Sequence, residues 1–372
     1  MQFFLIAFIF LISLGQLQRI QVTNSIAFYL HDLLIVGFLL KELFSAIMQR
    51  KKIQKKAKKI EENHKKIFFL FTGSIIISWI LALLQNRFDF KAILYLTRFI
   101  SYVFFVYLLN KKLPKQNWLW KVISLDILIL GFVQYLFLPD LRFLIYSGYD
   151  DHFYRLTSTI LDPAFTGLIF VFNLNYYLWQ KKKNWLLIFF FALGLLLTYS
   201  RSSYLAFLLS NLVAFLIANK NTKKILATIT IVFLCSLPLL PKNSGGDGVN
   251  LLRTTSAVAR VSNDQEILKN IKGAQWLVGQ GLFVPNQNRQ TVDNIPSHSH
   301  FADNLLVFLL SNLGIIGSFI FAIFIWQIMR AGKKENWILL TSLLTNAMFN
   351  NNLTQSFVVL IFFGFCLTIE KD

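Results

Sequence analysis

The stretch "SHSHFADNLLVFLLSNLGIIGSF" at residues 297–319 places two histidines and an aspartate directly before a long apolar run. Such a run is long enough to enter the roughly 30 Å hydrocarbon core of a bilayer as a helix. Imidazole and carboxylate side chains are common proton carriers in enzymes. The segment therefore predicts a membrane helix with proton-handling groups at its mouth.

Apolar runs of this kind recur along the whole chain, which has 372 residues, is 55% hydrophobic and contains 39 phenylalanines. A soluble domain of this length needs far more polar surface than this composition supplies. Inside lipid, backbone polar groups must find partners within the protein, and we identify no strand-sized alternating segments of the kind that build a barrel. The sequence predicts an all-α, multi-pass integral membrane protein that forms one polytopic domain over residues 1–372.

Basic clusters between the apolar runs predict the orientation in the cell membrane. The largest is "RKKIQKKAKKIEENHKK" at residues 50–66. By the positive-inside rule, the clustered loops and both termini are expected on the cytoplasmic side. Membrane topology and contact with anionic lipid then account for the net charge of +19, and no nucleic-acid partner is expected. About twelve spans are predicted, at residues 2–17, 24–44, 67–85, 90–110, 118–138, 158–179, 185–199, 203–219, 225–240, 303–329, 337–350 and 353–369.

Three predicted outer segments differ from the basic loops. Residues 139–157 combine arginines, aspartates and tyrosines, and the turn "YSRSS" at 199–203 joins two spans. Residues 241–302 form the predicted large outer loop, whose middle has the spacing of an amphipathic helix. A loop of this length without structure of its own is uncommon unless it is functional. We expect the chemistry on this side of the membrane.

Arginines at outward positions suggest an anionic ligand, because a guanidinium makes bidentate contacts with phosphate and keeps its charge. Arg98 lies inside a span and has two interpretations. It either forms a salt bridge with Asp126 on the next span or lines an outward cavity that binds phosphate. The arginines predicted at the outer surface are Arg142, Arg155, Arg201, Arg253, Arg260 and Arg289.

The sequence predicts neither a metal nor a cofactor. It contains no glycine-rich nucleotide-binding pattern. His298 and His300 have a possible metal-ligand spacing, but no third ligand is evident beside them.

Four short patterns together resemble the O-antigen polymerase and ligase superfamily, which includes the Wzy-type polysaccharide polymerases. Their order and spacing agree with that superfamily, and the N-terminal five spans contribute only hydropathy. The patterns are "RLTSTILDPAFTGLIF" (155–170), "LLTYSRSSYLAFLLSNLVAFL" (196–216), "RVSNDQEILKNIKGAQWLVGQGLF" (260–283) and "DNLLVFLLSNLGIIG" (303–317).

This resemblance implies transfer of a glycan from an undecaprenyl-diphosphate lipid, outside the membrane and with inversion. It implies that Arg155, Arg201 and Arg260 bind the diphosphate. The family's histidine position is Asp303 here, followed by the expected Asn304. The general base is therefore either Asp303 or His300. Asn304 and His298 are candidate substrate contacts. The alternative interpretation of Asp303 is a helix cap, and that of His298 and His300 is a solvated loop residue.

A polymerase of lipid-linked repeat units is the favoured function. The alternatives are a ligase-type transferase, a flippase for the same lipid and a non-enzymatic assembly subunit. The long outer loop argues against a flippase, because carriers usually have two comparable halves and short loops. The resemblance also implies a chain-length regulator and a separate flippase as partners.

Overall fold

The computed structural model describes residues 2–23, 26–49, 61–113, 117–147, 149–240, 247–285, 301–331 and 333–368. The described residues form fourteen α-helices and one two-stranded sheet. The helices are α1 (Gln2–Ser13), α2 (Leu30–Gln49), α3 (Glu61–Leu84), α4 (Lys91–Lys112), α5 (Asn117–Phe137), α6 (Pro163–Trp179), α7 (Trp185–Leu197), α8 (Arg201–Ile217), α9 (Lys220–Ser236), α10 (Thr255–Lys269), α11 (Gln275–Val278), α12 (Leu305–Ala331), α13 (Lys334–Ala347) and α14 (Ser356–Thr368).

Each predicted span overlaps one of these helices. Within the described ranges, four helices are long and apolar enough to cross a membrane: Lys91–Lys112, Trp118–Phe137, Lys220–Leu239 and Leu305–Gln327. Shorter apolar helices accompany them, among them Gln2–Ser13 and Trp185–Leu197. The structure is therefore that of a helical membrane protein, while the count of about twelve spans stays a prediction.

One short hairpin departs from the expected absence of strands. Strand β1 (Arg19–Thr23) pairs antiparallel with β2 (Ile26–Tyr29) between α1 and α2. The sequence "RIQVT" alternates polar with apolar side chains and holds β-branched residues, which suits a strand. The hairpin occupies part of the predicted span 24–44, so α2 begins later than expected.

Large apolar side chains lie both inside and outside the helical bundle. One buried cluster joins α1, α2, α4 to α9, α13 and α14, with Phe105 and Trp120 among its fully buried members. A second cluster joins α3 to the start of α12 through Phe283 and Phe308. Many other leucines, isoleucines and phenylalanines are exposed on the helix surfaces, as expected of side chains that face lipid.

The long helix α12 is interrupted at Gly314, whose φ of 65° and ψ of −175° are open essentially only to glycine. The interruption receives the loop after α11. Gln280 N–H donates to the Ser311 carbonyl at 2.8 Å, and Gly281 N–H donates to the Asn312 carbonyl at 3.0 Å. A Cβ atom on Gly279 would collide with the Asn312 backbone. The loop after α11 is thus attached to α12, and the glycines that allow this attachment belong to two of the four family-like patterns.

Candidate active site

Arg155 is the most buried of the predicted anion-binding arginines. Its side chain is 8% exposed, and its Nε donates to the Thr198 carbonyl at 3.0 Å. Leu156 N–H donates to the Leu197 carbonyl at 2.9 Å and holds the two chain segments together. Burial and the charges of Arg253 and Arg260 lower the pKa of Arg155, while Asp162 and Tyr204 oppose the shift. A guanidinium still keeps its proton at neutral pH, so a positive charge is held inside the protein.

The backbone on both sides of this contact is strained. Tyr154 has a φ of 50° and Tyr199 a φ of 51°, which is unusual for residues with large side chains. Such strain persists only where surrounding contacts impose it, and it concentrates at functional sites. Ser200 follows Tyr199 and caps α8 by accepting a hydrogen bond from Ser203 N–H. This turn places Arg201 as the first residue of α8.

Arg201 and Arg253 join Arg155 at the same turn. Arg201 Nη1 donates to the Arg253 carbonyl at 2.7 Å, and its Nη2 donates to Ser256 Oγ at 3.3 Å. Arg253 Nη2 and Arg155 Nη2 both donate to the Tyr199 carbonyl, at 3.3 Å and 3.5 Å. Two guanidinium groups therefore converge on one carbonyl oxygen. We call Arg155, Arg201 and Arg253 the arginine cluster.

Among the described side chains, little negative charge lies beside Arg155 and Arg201. Among them, no carboxylate lies within salt-bridge distance of Arg155 or Arg201. The nearby Asp162 caps α6 by accepting from Ala164 N–H at 2.7 Å and Phe165 N–H at 3.0 Å. Buried positive charges with hydrogen bonds mainly to carbonyls form a site suited to an anion.

A buried polar network supports the turn from below. Asn350 Nδ2 donates to Ser202 Oγ at 2.8 Å, and Asn346 Nδ2 contacts Ser203 Oγ at 3.1 Å. No role was predicted for these asparagines. Their signal was polar residues four positions apart at the end of an apolar segment, where a helix brings them to one face.

Helix α10 connects the arginine cluster to Asp303. Asn263 Nδ2 donates to the Asp303 carboxylate at 2.7 Å, and Asp264 Oδ1 accepts from Asp303 N–H at 2.9 Å. Arg260 lies one turn earlier on α10 and is partly buried. Burial raises the pKa of Asp264, while two backbone N–H groups and the Arg260 charge oppose the rise. The structure thus places Arg260 and Asp303 on two contacting elements.

Two alternative interpretations were wrong, namely the salt bridge between Arg98 and Asp126 and the helix cap at Asp303, whereas Arg98 as a substrate contact stays a prediction. Arg98 does not pair with Asp126, because it binds Asp32 at 2.8 Å, and Asp126 instead accepts from Ser13 Oγ at 2.9 Å. The reason is that α4 packs on α2 and α14, whereas α5 packs on α1. The cap of α12 is Asn304, whose Oδ1 accepts from Leu306 N–H at 2.8 Å, and not Asp303.

The remaining predicted residues divide into two groups. The Asn304 amide also donates to the Met348 carbonyl at 2.9 Å, so it holds α12 to the end of α13. His298, His300 and Arg289 lie outside the described residues. Within the described part of the chain, no group of three histidine, cysteine or acidic side chains is placed to bind a metal.

His152 lies beside the arginine cluster. No role was predicted for it from the sequence. It is 5% exposed, and neither ring nitrogen has a hydrogen-bond partner among the described residues. Burial, followed by the charges of Arg155 and Arg253, lowers the pKa of His152 to about 3, and the Asp151 backbone opposes this weakly without a hydrogen bond of normal geometry. The imidazole is therefore neutral at pH 7. A single histidine in a polar loop gave no signal in the sequence.

Together, the apolar helices and the arginine cluster define an α-helical membrane protein with a buried cationic site beside the ends of its helices. Residues 186–322 match the family model described as O-antigen ligase. This match confirms the resemblance to the O-antigen polymerase and ligase superfamily over that part of the chain, which includes Arg201, Arg260 and Asp303. Members of this family are membrane enzymes that transfer glycans from lipid-linked donors. No curated protein matches the chain.

Proposed function

We propose that this protein is a polysaccharide polymerase. It joins oligosaccharide repeat units carried on undecaprenyl diphosphate, at the outer face of the cell membrane, for a capsule, an exopolysaccharide or an O-antigen. The arginine cluster carries this proposal, since it holds Arg155 and Arg201 away from carboxylates at the ends of apolar helices. A ligand that is half lipid and half diphosphate matches both the apolar helices and the positive charge.

The reaction is an inverting substitution at the anomeric carbon of the donor sugar. The acceptor hydroxyl oxygen forms the new glycosidic bond while the bond from the sugar to the diphosphate oxygen breaks. The diphosphate leaves with the bonding electron pair. Arg155, Arg201 and Arg260 stabilise that developing charge. Electrostatic stabilisation by preorganised groups is usually the largest single contribution to catalysis. The chain's own residues supply this stabilisation, and the proposal requires neither a metal nor a nucleotide.

A general base takes the proton of the acceptor hydroxyl. Asp303 is a candidate because it is a partly exposed carboxylate, oriented by Asn263, on the element that contacts the Arg260 helix. His300 is the second candidate. Asn304 and Asn263 hold this end of α12 in place. Arg98, predicted as a substrate contact, is paired with Asp32.

The proposed topology follows from the charge pattern. Both termini and the basic clusters are cytoplasmic, and residues 241–302 form the large outer loop beside the site. A flippase delivers the substrate to that side, and a chain-length regulator is the second proposed partner.

A ligase-type transferase is the second candidate function, because the matched family model is described as O-antigen ligase. It uses the same donor and the same diphosphate site. The difference lies in the acceptor, which for a ligase is a different glycolipid rather than another repeat unit.

The test supplies the purified protein in lipid nanodiscs with the undecaprenyl-diphosphate repeat unit, and the products are sized on a gel. The variants are Arg201→Gln, Asp303→Asn and His300→Ala. Arg142→Gln is the matched control, because Arg142 belongs to an exposed pair with Asp140. We expect a ladder from the wild type and the control, and no ladder from Arg201→Gln. Of the other two variants, the one that removes the general base is expected to lose the ladder as well.

Two other outcomes separate the alternatives. A single transfer to an added acceptor glycolipid, without a ladder, supports the ligase. No transfer to any acceptor, while the lipid-linked unit still crosses the bilayer, overturns the enzyme and supports a flippase.

A further inference from the structure

His152 is held rigidly next to the arginine cluster. Its carbonyl accepts from Leu141 N–H at 2.8 Å, and Tyr154 N–H donates to the Pro139 carbonyl at 2.8 Å. These two bonds tie residues 152–154 to the end of the segment that follows α5. Arg155 follows directly and is fixed to the Thr198 carbonyl. The ring of His152 therefore has a defined place beside the guanidinium groups of Arg155 and Arg253, whose charges lower its pKa.

The unpaired state of this imidazole is costly for the folded protein. Buried polar side-chain atoms are nearly always hydrogen-bonded, and each exception calls for an explanation. Both ring nitrogens of His152 are such exceptions among the described side chains. Another buried histidine, His31, leaves Nδ1 alone unpaired, because its Nε2 lies 2.6 Å from the Tyr102 hydroxyl. An apolar side chain would fill the position of His152 without leaving two polar atoms unpaired.

We infer that His152 is a ligand-binding residue of the arginine cluster, where its neutral ring donates an N–H hydrogen bond to an oxygen of the bound diphosphate. This inference rests on the proposed function, which gives the site a diphosphate. A neutral ring suits the position because a further cation beside Arg155 and Arg253 would be repelled. The ring N–H then has the partner that the described residues do not provide. His152 thus adds one directed hydrogen bond to the positive charge that the arginine cluster provides.

The role can be separated from packing by two apolar replacements. His152→Phe keeps a ring and removes both nitrogens, and His152→Leu removes the ring as well. Phe153→Leu is the matched control on the same segment, because Phe153 contacts Arg142 rather than the cluster. The experiment measures binding of undecaprenyl diphosphate, without any sugar, to each folded variant in nanodiscs. Thermal unfolding of the ligand-free proteins is recorded in parallel.

We expect both apolar variants to bind the lipid diphosphate about 10- to 100-fold more weakly, as for loss of a hydrogen bond to a charged group. We also expect their ligand-free forms to unfold at a higher temperature than the wild type, since two unpaired polar atoms are removed. His152→Gln, which keeps an N–H donor, is expected to recover part of the affinity. The control Phe153→Leu is expected to bind as the wild type does.

The outcomes distinguish this inference from the proposed function. If the wild type binds and Arg155→Gln does not, a loss of less than about threefold in the apolar variants overturns the role of His152 alone, because it falls below the value of such a bond. If the wild type itself binds no lipid diphosphate, both the proposed function and this inference fail. Should one apolar variant not fold, the other decides by the same threshold.

Discussion

Two arginines inside the helical bundle, the half-buried Arg98 and the buried Arg155, differ in their partners. Arg98 faces Asp32 at 2.8 Å, donates to the Ala27 carbonyl at 3.0 Å and lies 5.2 Å from the centre of the Tyr29 ring. Arg155 is more deeply buried but contacts backbone carbonyls and a second arginine. Isolated buried charges are expensive, so proteins normally pair them. On the proposed function, the arginine without a carboxylate partner binds the ligand, and the paired arginine stabilises the bundle.

The largest effect is expected when the unpaired charge is removed. Arg155→Gln should lower the rate of glycan transfer by about 100- to 1,000-fold, because a preorganised cation at the leaving group is lost. The ligand-free protein should be no less stable, since a buried charge without a carboxylate is gone. Transfer assays and thermal unfolding on the same samples check both parts, with Arg142→Gln as the control. A strongly destabilised but active Arg155→Gln would reverse the assignment of the two arginines.

At the paired site we expect the opposite result, a loss of stability with little change in transfer. Asp32→Asn leaves Arg98 buried without its counter-charge and should destabilise the protein by about 2 to 3 kcal/mol, below the full value for a buried pair because both groups keep some exposure. Transfer per folded molecule should change little. Chemical denaturation in lipid measures the loss.

A double variant sharpens the interpretation of this pair. Arg98→Met combined with Asp32→Leu should recover most of the stability, because no unpaired charge is left. If transfer per folded molecule instead falls as far as in Arg155→Gln, Arg98 acts on the substrate and its pairing is not merely architectural.

The sequence predicted the helices and the positions of both kinds of arginine, but not the difference between them. Hydropathy predicted a helix at every span because lipid requires it. Arg155, Arg201 and Arg260 were found through motifs that lie close together along the chain. The possible pairing of Arg98 with Asp126 was wrong, since neighbours in sequence need not be neighbours in the bundle, and α4 packs on α2 rather than on α5.

The cluster's environment could not be predicted for a related reason. Whether a charge has a counter-charge depends on contacts between distant segments, such as Arg201 with the Arg253 carbonyl. The roles of Asn346, Asn350 and His152 depend on the same long-range packing. A lone histidine or asparagine carries no local signal of what it faces after folding.

A carboxylate introduced into the cluster should make it resemble the Arg98 site. Ser256 accepts from Arg201 Nη2 at 3.3 Å and lies in the first turn of α10, where a negative charge is favourable. Ser256→Asp is therefore expected to lower transfer about tenfold, because the aspartate competes with the diphosphate, a cost of about 1.4 kcal/mol. Ser256→Asn tests the shape change, and Ser262→Asp places the same charge on the exposed side of α10. Equal losses in Ser256→Asp and Ser262→Asp would show that only net charge matters.

The smallest expected effect is the pH dependence of stability that His152 causes beside the arginine cluster. Its pKa in the folded protein is about 3, well below the ordinary value of 6.5, because of burial and two guanidinium groups. Between those values the unfolded chain binds a proton that the folded protein excludes, so His152 lowers stability as the pH falls below about 6.5 and has no such effect above it. The wild type should therefore lose about 1 kcal/mol relative to His152→Leu between pH 7 and pH 5.5, which denaturant titrations at the two pH values measure. A difference that does not change with pH would mean that His152 accepts its proton readily, and that the cluster is already balanced by negative charge.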